Sequence, residues 1–187
     1  MLSAVVGYSL PSVRGEPRRL PALGYQALTV LGLALGAACL AVFGPTLRGA
    51  AAAIFCLALV VVTAADLEYR LIPNRVVLPA SAVVLVLMTA AEPSPEWALA
   101  AGGAGLGLFV AALIYPAGMG MGDVKLAVLM GAALGRGVVS ALMLAFVLAA
   151  LPAIALLFRH GRAGGKMGIP FGPFLALGSL VVLFAGA

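Results

Sequence analysis

Two aspartates at the ends of long apolar runs are the first candidates for chemistry in this chain of 187 residues. Asp66 follows the apolar run that begins at Gly49, and Asp123 opens the stretch "DVKLAVLMGAALG". Only 9% of the residues are charged, and ionisable side chains at membrane depth usually mark a functional site. We therefore consider the chemistry of these two carboxylates first.

A pair of carboxylates held close together can hydrolyse a peptide bond. Two like charges at short distance do not both ionise easily, so the pair shares one proton. One member then acts as general base on a water molecule, while the other polarises the carbonyl group and protonates the leaving amine. This is aspartic peptide hydrolysis, which needs neither a metal ion nor a covalent nucleophile.

The other residue types offer little for a rival mechanism. The single histidine, His160, lies in a basic stretch without a partner that the sequence reveals. Cys39 and Cys56 lie inside apolar runs, where a packing role is expected, and the chain has no CxxC or His/Cys spacing typical of a metal site. We therefore expect no metal ion and no cofactor.

Each aspartate also has a purely structural interpretation. Asp66 is placed to pair with Arg70 one helical turn later. Asp123 is placed to cap a helix, because carboxylates are favoured at the positive N-terminal end. Both interpretations stay open from the sequence alone.

The residues around Asp123 favour a close approach of other chain segments. Gly118, Gly120 and Gly122 alternate with methionines, which allows left-handed or extended backbone and close contacts. Lys125 points away from Asp123 on a helix, so we expect an interfacial anchor or a contact for lipid or a neighbouring helix. Small residues that permit tight helix packing recur at helical spacing at Ala127, Gly131 and Gly135, and again at Gly103, Gly107 and Ala111.

Apolar segments long enough to cross a membrane must position these residues. The chain is 64% hydrophobic, and its runs are continuously apolar rather than alternating, which favours helices over a β-barrel. A spanning helix needs about 20 apolar residues. We predict an all-α polytopic membrane protein with about seven transmembrane helices, six to eight being possible. The segments are Leu23 to Phe43, Gly49 to Ala65, Pro73 to Ala91, Trp97 to Ala117, Asp123 to Gly135, Gly137 to Phe158, and Phe171 to Gly186.

The basic residues predict the orientation, because cytoplasmic loops accumulate Lys and Arg. With the N-terminus inside, only Arg48 and Arg136 of the 11 basic residues lie outside. The same topology places Asp66 and Asp123 near the cytoplasmic face, where their carboxylates can meet. The net charge of +5 then reflects topology and attraction to anionic membrane lipids, and no nucleic-acid partner is expected.

Three motifs together resemble the type IV prepilin peptidases, a family of GxGD intramembrane aspartic peptidases. The stretch "GMGD" followed by "VKL" is similar to the GxGD signature. The stretch "DLEYRLIPNRVVLP" resembles the first catalytic segment, in which an Asp is followed by charged residues and an (I/L)P(N/D) element. "IPFGPFLALG", Ile169 to Gly178, resembles the late Pro/Gly motif. The resemblance covers the chain from about Asp66 to its end.

The resemblance implies a function and a set of site residues. The substrate would be a prepilin or pilin-like secretion subunit, whose short basic leader precedes a hydrophobic helix. Cleavage would occur at the cytoplasmic face of the bacterial inner membrane. By position, Asp66 and Asp123 would be catalytic. The supporting residues would be Gly120, Gly122, Lys125, Pro73, Asn74, Phe171, Gly172 and Pro173.

The supporting residues have expected roles. Gly120 and Gly122 would shape the loop of Asp123. Pro73 and Asn74 would turn the chain into the third span, since Pro suits a helix start. The "FGPF" element would form a non-helical turn beside the cleft or a simple helix start.

The N-terminal region departs from larger family members, which carry a cytoplasmic insert with CxxC motifs and N-methylate the new pilin N-terminus. Here that region is reduced to "PSVRGEPRRLP". We therefore expect a peptidase without methyltransferase activity, zinc or S-adenosylmethionine, comparable to the small peptidases of tight-adherence pilus systems. Residues 1–22 are expected to form a short cytoplasmic or interfacial segment, and residues 23–187 a single transmembrane peptidase domain.

Two other classes of function remain open. An ion- or proton-coupled transporter would also carry membrane carboxylates, but these should lie deep in the bilayer, whereas both aspartates lie at segment ends. An inactive scaffold for pilus assembly would need no carboxylate pair.

Overall fold

Seven helices make up the regular structure of the described residues. The computed structural model describes residues 22–115, 119–160 and 170–186, and within them all regular secondary structure is helical. The all-α prediction is therefore confirmed. In chain order the helices are α1 (Ala22–Phe43), α2 (Leu47–Tyr69), α3 (Asn74–Ala91), α4 (Glu96–Ile114), α5 (Met121–Leu134), α6 (Val138–His160) and α7 (Gly172–Ala185).

Most of the helices have the length and composition of membrane spans. Five segments of the described chain are long and apolar enough to cross a bilayer, and one of them, Met121–Arg159, contains both α5 and α6. Helix α7 is apolar but shorter. The chain is therefore a polytopic membrane protein, as predicted.

A short 3₁₀ turn at Gly135–Gly137 separates α5 from α6 and defines a boundary that the sequence left uncertain. Gly135 has a φ of 54°, a left-handed conformation that glycine adopts without a steric penalty. A side chain there would also collide with Glu96 and Trp97. The chain can therefore reverse direction and begin α6 at Val138.

Helix α5 lies at the centre of the bundle. It contacts α2, α3, α4, α6 and α7, and Leu126, Leu129 and Met130 are fully buried. Its closest neighbour is α4, because a Cβ atom at Gly131 would collide with the backbone of Ala100. The predicted packing role of Gly131 is therefore confirmed.

The predicted packing role of Gly103 and Gly107 on α4 is wrong within the described residues. A Cβ atom added at either glycine would meet nothing within 4 Å. Helix α4 instead packs through its opposite face, where Ala104 is buried and a side chain at Gly105 would collide with Val128. Small residues lie on both faces of α4, so sequence spacing did not reveal which face contacts α5.

Two ion pairs join the connecting segments at the end of the bundle opposite the aspartates. Arg48 contacts Glu92 at 3.1 Å, and Arg136 contacts Glu96 at 3.3 Å. The Arg48 guanidinium also lies 5.9 Å from the centre of the Trp97 ring. Arg48 and Arg136, the two basic residues that the sequence assigns to the outside, therefore each pair with an acidic residue at this end of the bundle.

Candidate active site

Asp66 lies in the last turn of α2, which continues to Tyr69 instead of ending at Ala65 as predicted. Arg70 then ends the helix in a left-handed conformation, with φ of 51°. The Asp66 side chain is only 7% exposed, and its Oδ2 accepts a hydrogen bond of 2.8 Å from the backbone N–H of Gly172. The start of α7 thus holds this carboxylate.

The absence of a side chain at Gly172 permits this contact. A Cβ atom there would lie 2.9 Å from Asp66 Oδ2 and 3.2 Å from its Cβ and Cγ. Phe171 is the N-cap residue of α7 and Pro173 lies in its first turn, so the "FGPF" element is a helix start rather than a non-helical turn. A helix N-terminus presents unpaired N–H groups and a partial positive charge to a carboxylate.

Asp123 is the third residue of α5 and is 9% exposed. Its Oδ2 accepts a hydrogen bond of 3.1 Å from the N–H of Gly120, the N-cap residue. This is the reciprocal contact that an acidic residue makes in a capping box. The N-cap residue is therefore Gly120 and not Asp123, which supports the same helix end from the third position and uses only one of its two carboxylate oxygens for this contact.

The structure brings the two aspartates together from distant parts of the chain. Both side chains are buried, and Ile72, in the connection that follows the helix of Asp66, lies against Gly122, the residue before Asp123. Arg70 also influences Asp66 through its charge, but the two do not form an ion pair in the described part of the chain. The structural interpretation of Asp66 as the partner of the exposed Arg70 therefore has no direct ion pair to support it among the described residues.

Gly120 and Gly122 serve the site in two different ways. Gly120 is extended, with φ of −86° and ψ of 153°. Gly122 is the second residue of α5, and a Cβ atom there would lie 2.8 Å from the Cβ of Ile72. Neither glycine uses the left-handed conformation, and Gly118 lies outside the described residues. Gly122 therefore permits a close approach between the two segments that carry the aspartates, whereas Gly120 supplies the N–H group that holds Asp123.

Lys125 contacts a neighbouring helix, one of the roles expected for it. Its Nζ donates a hydrogen bond of 2.9 Å to Oδ1 of Asn74, the first residue of α3. Pro73 is the N-cap residue of α3 and is fully buried, so the "IPN" element turns the chain into α3 as predicted. Both Lys125 and Asn74 are half-buried.

Two features of the site were not expected from the sequence. Glu68 is 4% exposed, and its Oε1 accepts a hydrogen bond from the hydroxyl group of Tyr25 on α1. The sequence feature that could have pointed to Glu68 is its position two residues after Asp66 in an apolar helix. The backbone contact of Gly172 with Asp66 had no signal in the sequence, because any residue except proline carries an N–H group.

The residues considered for other chemistry are not assembled into a site. The Sγ atoms of Cys39 and Cys56 lie 3.4 Å apart between α1 and α2, and both residues are fully buried. The described residues contain no group of three His, Cys, Asp or Glu side chains that could hold a metal ion. The side chain of His160 and residues 161–169 lie outside the part of the chain that the structure describes.

Comparison with known proteins identifies the family of this chain. The profile of the type IV leader peptidase family matches residues 53–158. The chain is 31% identical over 168 residues to a Bacillus subtilis protein named prepilin leader peptidase/N-methyltransferase, covering 87% of this chain and 66% of that protein. It is 33% identical over 171 residues to a Burkholderia pseudomallei protein of the same name, covering 87% and 55%. The chain thus spans about half to two thirds of the length of these relatives. No solved structure matches it significantly.

The matched region contains both aspartates, on helices α2 and α5 of a membrane bundle. The two relatives share their printed name and each align with most of this chain. We conclude that the chain belongs to the type IV leader peptidase family.

Proposed function

We propose that this protein is a membrane-embedded aspartic endopeptidase that removes the basic leader from type IV prepilins or pilin-like secretion subunits. The observation that carries the proposal is the pair of buried carboxylates, each held through Oδ2 by one backbone N–H group. Membership of the leader peptidase family supports the substrate class. The short basic leader and the hydrophobic helix that follows it suit an enzyme embedded in the bilayer.

The proposed mechanism divides two roles between Asp66 and Asp123. The ionised member removes a proton from a water molecule, whose oxygen attacks the carbonyl carbon of the scissile peptide bond. The protonated member donates a hydrogen bond to the carbonyl oxygen and then transfers its proton to the leaving amine. The C–N bond breaks, leaving the leader as a carboxylic acid and the pilin with a free N-terminal amine. The proton shared between the two carboxylates belongs to the pair rather than to either residue.

We place the reaction at the cytoplasmic face of the bacterial inner membrane. The distribution of basic residues supports this orientation, because the end of the bundle that contains the aspartates also carries Arg70, Arg75 and Lys125. At this face, a basic leader remains in water while the adjacent hydrophobic helix stays in lipid. The scissile bond between them then lies at the depth of the two aspartates.

We also propose that the protein cleaves without N-methylation. In larger family members, methylation is associated with a CxxC-containing insert, whereas both cysteines of this chain lie within α1 and α2. Both relatives carry the name of a combined peptidase and methyltransferase, so the two functions can be tested in one experiment. The mass of the cleaved pilin N-terminus distinguishes a free amine from a methylated one.

The aspartic mechanism is tested by co-expressing the protein with a prepilin that has a basic leader. Asp66→Asn and Asp123→Asn should each abolish leader removal, because an amide neither accepts the proton of water nor shares a proton with its neighbour. Loss of the catalytic pair should lower the rate by a factor of about 10⁴ or more. Cleavage is measured by the shift of the pilin on a gel and by mass spectrometry.

Glu92→Gln is a matched control, because it neutralises an exposed acidic residue at the opposite end of the bundle. This variant should cleave at the wild-type rate, and all three should insert into the membrane in equal amounts. Normal cleavage by both Asp variants would rule out the aspartic mechanism, whereas the absence of cleavage by the wild type would favour a transporter or a scaffold. A methylated product would disprove only the absence of N-methylation.

A further inference from the structure

We propose that Lys125 is a positioning residue, whose hydrogen bond to Asn74 fixes the separation of the two catalytic carboxylates. The proposal deepens the aspartic peptidase function above and depends on it. Lys125 lies two residues after Asp123, and Asn74 begins α3 after the connection from the helix that carries Asp66. The bond of 2.9 Å between Nζ and Oδ1 therefore joins the two aspartate-bearing segments.

A second contact joins the same two segments. Ile72, in the connection between α2 and α3, is buried against Gly122 at the start of α5, where no side chain would fit. The contact with Gly122 and the hydrogen bond of Lys125 are formed by residues on either side of Asp123. One is apolar and shape-dependent, and the other is polar and directional. Together they limit both translation and rotation of the start of α5 relative to α3.

Lys125 acts through the backbone rather than by touching Asp123. Residues two positions apart project from different sides of a helix, and the Nζ atom is occupied by Asn74 rather than by an aspartate. A charged donor such as the Lys125 ammonium group forms a stronger hydrogen bond than a neutral one. The half-buried position of Lys125 also limits competition from water for this bond. Lysine also has the length to reach from α5 to the start of α3.

The geometry predicts a specific kinetic effect. Displacement of one carboxylate by about 1 Å can lower a catalytic rate about 100-fold, whereas contacts to the leader remain. Lys125→Met should therefore lower kcat for leader removal by about 10- to 100-fold, with KM changed less than about 2-fold. Asn74→Leu, which removes the acceptor at similar size, should have the same effect.

A double-mutant cycle tests whether the two residues act through one bond. The Lys125→Met/Asn74→Leu double variant should be no slower than the slower of the two single variants, because the bond between Lys125 and Asn74 is already lost in each. Asn74→Asp keeps an acceptor and adds an attractive charge, so it should retain a kcat near that of the wild type. Arg75→Met is the matched control, since it removes an exposed cation next to Asn74 and should leave kcat unchanged.

A cross-linking readout measures position without relying on activity. The full chain carries Asp66→Cys and Asp123→Cys in a background of Cys39→Ala and Cys56→Ala, and reacts in membranes with a short bifunctional thiol reagent. Lys125→Met and Asn74→Leu should each reduce the rate of cross-linking, whereas Asn74→Asp and Arg75→Met should not.

Several results would overturn the proposal. Multiplicative effects in the double variant would mean that Lys125 and Asn74 act independently. A rise in KM at constant kcat would place Lys125 in contact with substrate, and unchanged cross-linking would rule out a positional effect. None of these results bears on the aspartic mechanism, which is tested separately by Asp66→Asn and Asp123→Asn.

Discussion

At the scale of single residues, the two aspartates share one type of support. Each uses Oδ2 to accept a backbone N–H at the start of a helix, Gly172 at α7 for Asp66 and Gly120 at α5 for Asp123. Backbone donors are rigid, so they orient a carboxylate without the rotamer freedom of a side-chain donor. This arrangement leaves Oδ1 of each aspartate as the oxygen that we assign to water and substrate in the proposed mechanism. The orientation of the Asp66 carboxylate should therefore depend on the absence of a side chain at position 172.

Replacing Gly172 with alanine should disturb catalysis while leaving the bundle intact. The new methyl group would lie 2.9 Å from Asp66 Oδ2, so the carboxylate must rotate away from its N–H donor. We expect leader removal to slow by about 100-fold, as for other misplaced catalytic groups. The measurement is the cleavage rate of a prepilin in membranes containing equal amounts of inserted protein.

Gly107→Ala is the control for this substitution. It adds the same methyl group to a glycine that has open space around it, and it should cleave at the wild-type rate. Equal rates for Gly172→Ala and the wild type would contradict a role for this close contact.

At the scale of elements, glycines determine which helix faces come together. Gly131 lets α5 approach the backbone of α4, and Gly178 lets α7 approach Ala141 on α6 in the same way. Small residues allow such contact because helices in lipid associate through packing rather than through the hydrophobic effect. The position of Asp123 in the bundle thus depends on the packing of α5, which is only 14 residues long.

Gly131→Ala should destabilise the bundle. The added methyl group would collide with the carbonyl oxygen of Ala100, a backbone atom that cannot rotate away. We expect a loss of about 1–3 kcal/mol, typical of overpacking, visible as a lower midpoint of thermal unfolding in detergent.

Gly103→Ala on α4 provides the comparison, because its methyl group would meet nothing within 4 Å. Alanine has the higher helix propensity, so this variant should be unchanged or more stable by up to about 1 kcal/mol. A similar loss in both variants would show that the contact of α4 with α5 does not limit stability.

At the scale of the whole molecule, charge is divided between the two ends of the bundle. One end carries the exposed pairs Arg48–Glu92 and Arg136–Glu96. Exposed pairs contribute little to stability, about 0–1 kcal/mol each, so we expect their main effect on local loop geometry. The other end carries the buried aspartates, with basic residues such as the exposed Arg75 nearby. This asymmetry underlies the proposed orientation in the membrane.

The orientation can be measured by labelling single cysteines in intact cells. In the background of Cys39→Ala and Cys56→Ala, a cysteine replacing the exposed Pro93 should react with a membrane-impermeant thiol reagent. A cysteine replacing Arg75 should react only after the cells are opened. The reverse pattern would contradict cleavage at the cytoplasmic face, because Arg75 lies at the same end as Asp66.

The sequence by itself determined the helices and the candidate residues. Long apolar runs predict spanning helices because burial in lipid depends on local composition, and all seven helices of the described residues lie within a few residues of their predicted bounds. Asp66 and Asp123 stood out because charged residues are rare beside such runs. The short fifth segment, the Pro73 helix start and the helix contact of Lys125 also agree with expectation.

Only the tertiary structure decided what holds the aspartates and which faces pack. The N–H of Gly172 is identical in chemistry to any other, so its contact with Asp66 follows from how α7 lies on α2. Helix packing also decides three other features. These are which small-residue face of α4 is in contact, which residue bonds to Lys125, and the contact of Glu68 with Tyr25. Hydropathy is a local property of the chain, whereas these contacts join residues far apart in sequence and depend on the packing of whole helices.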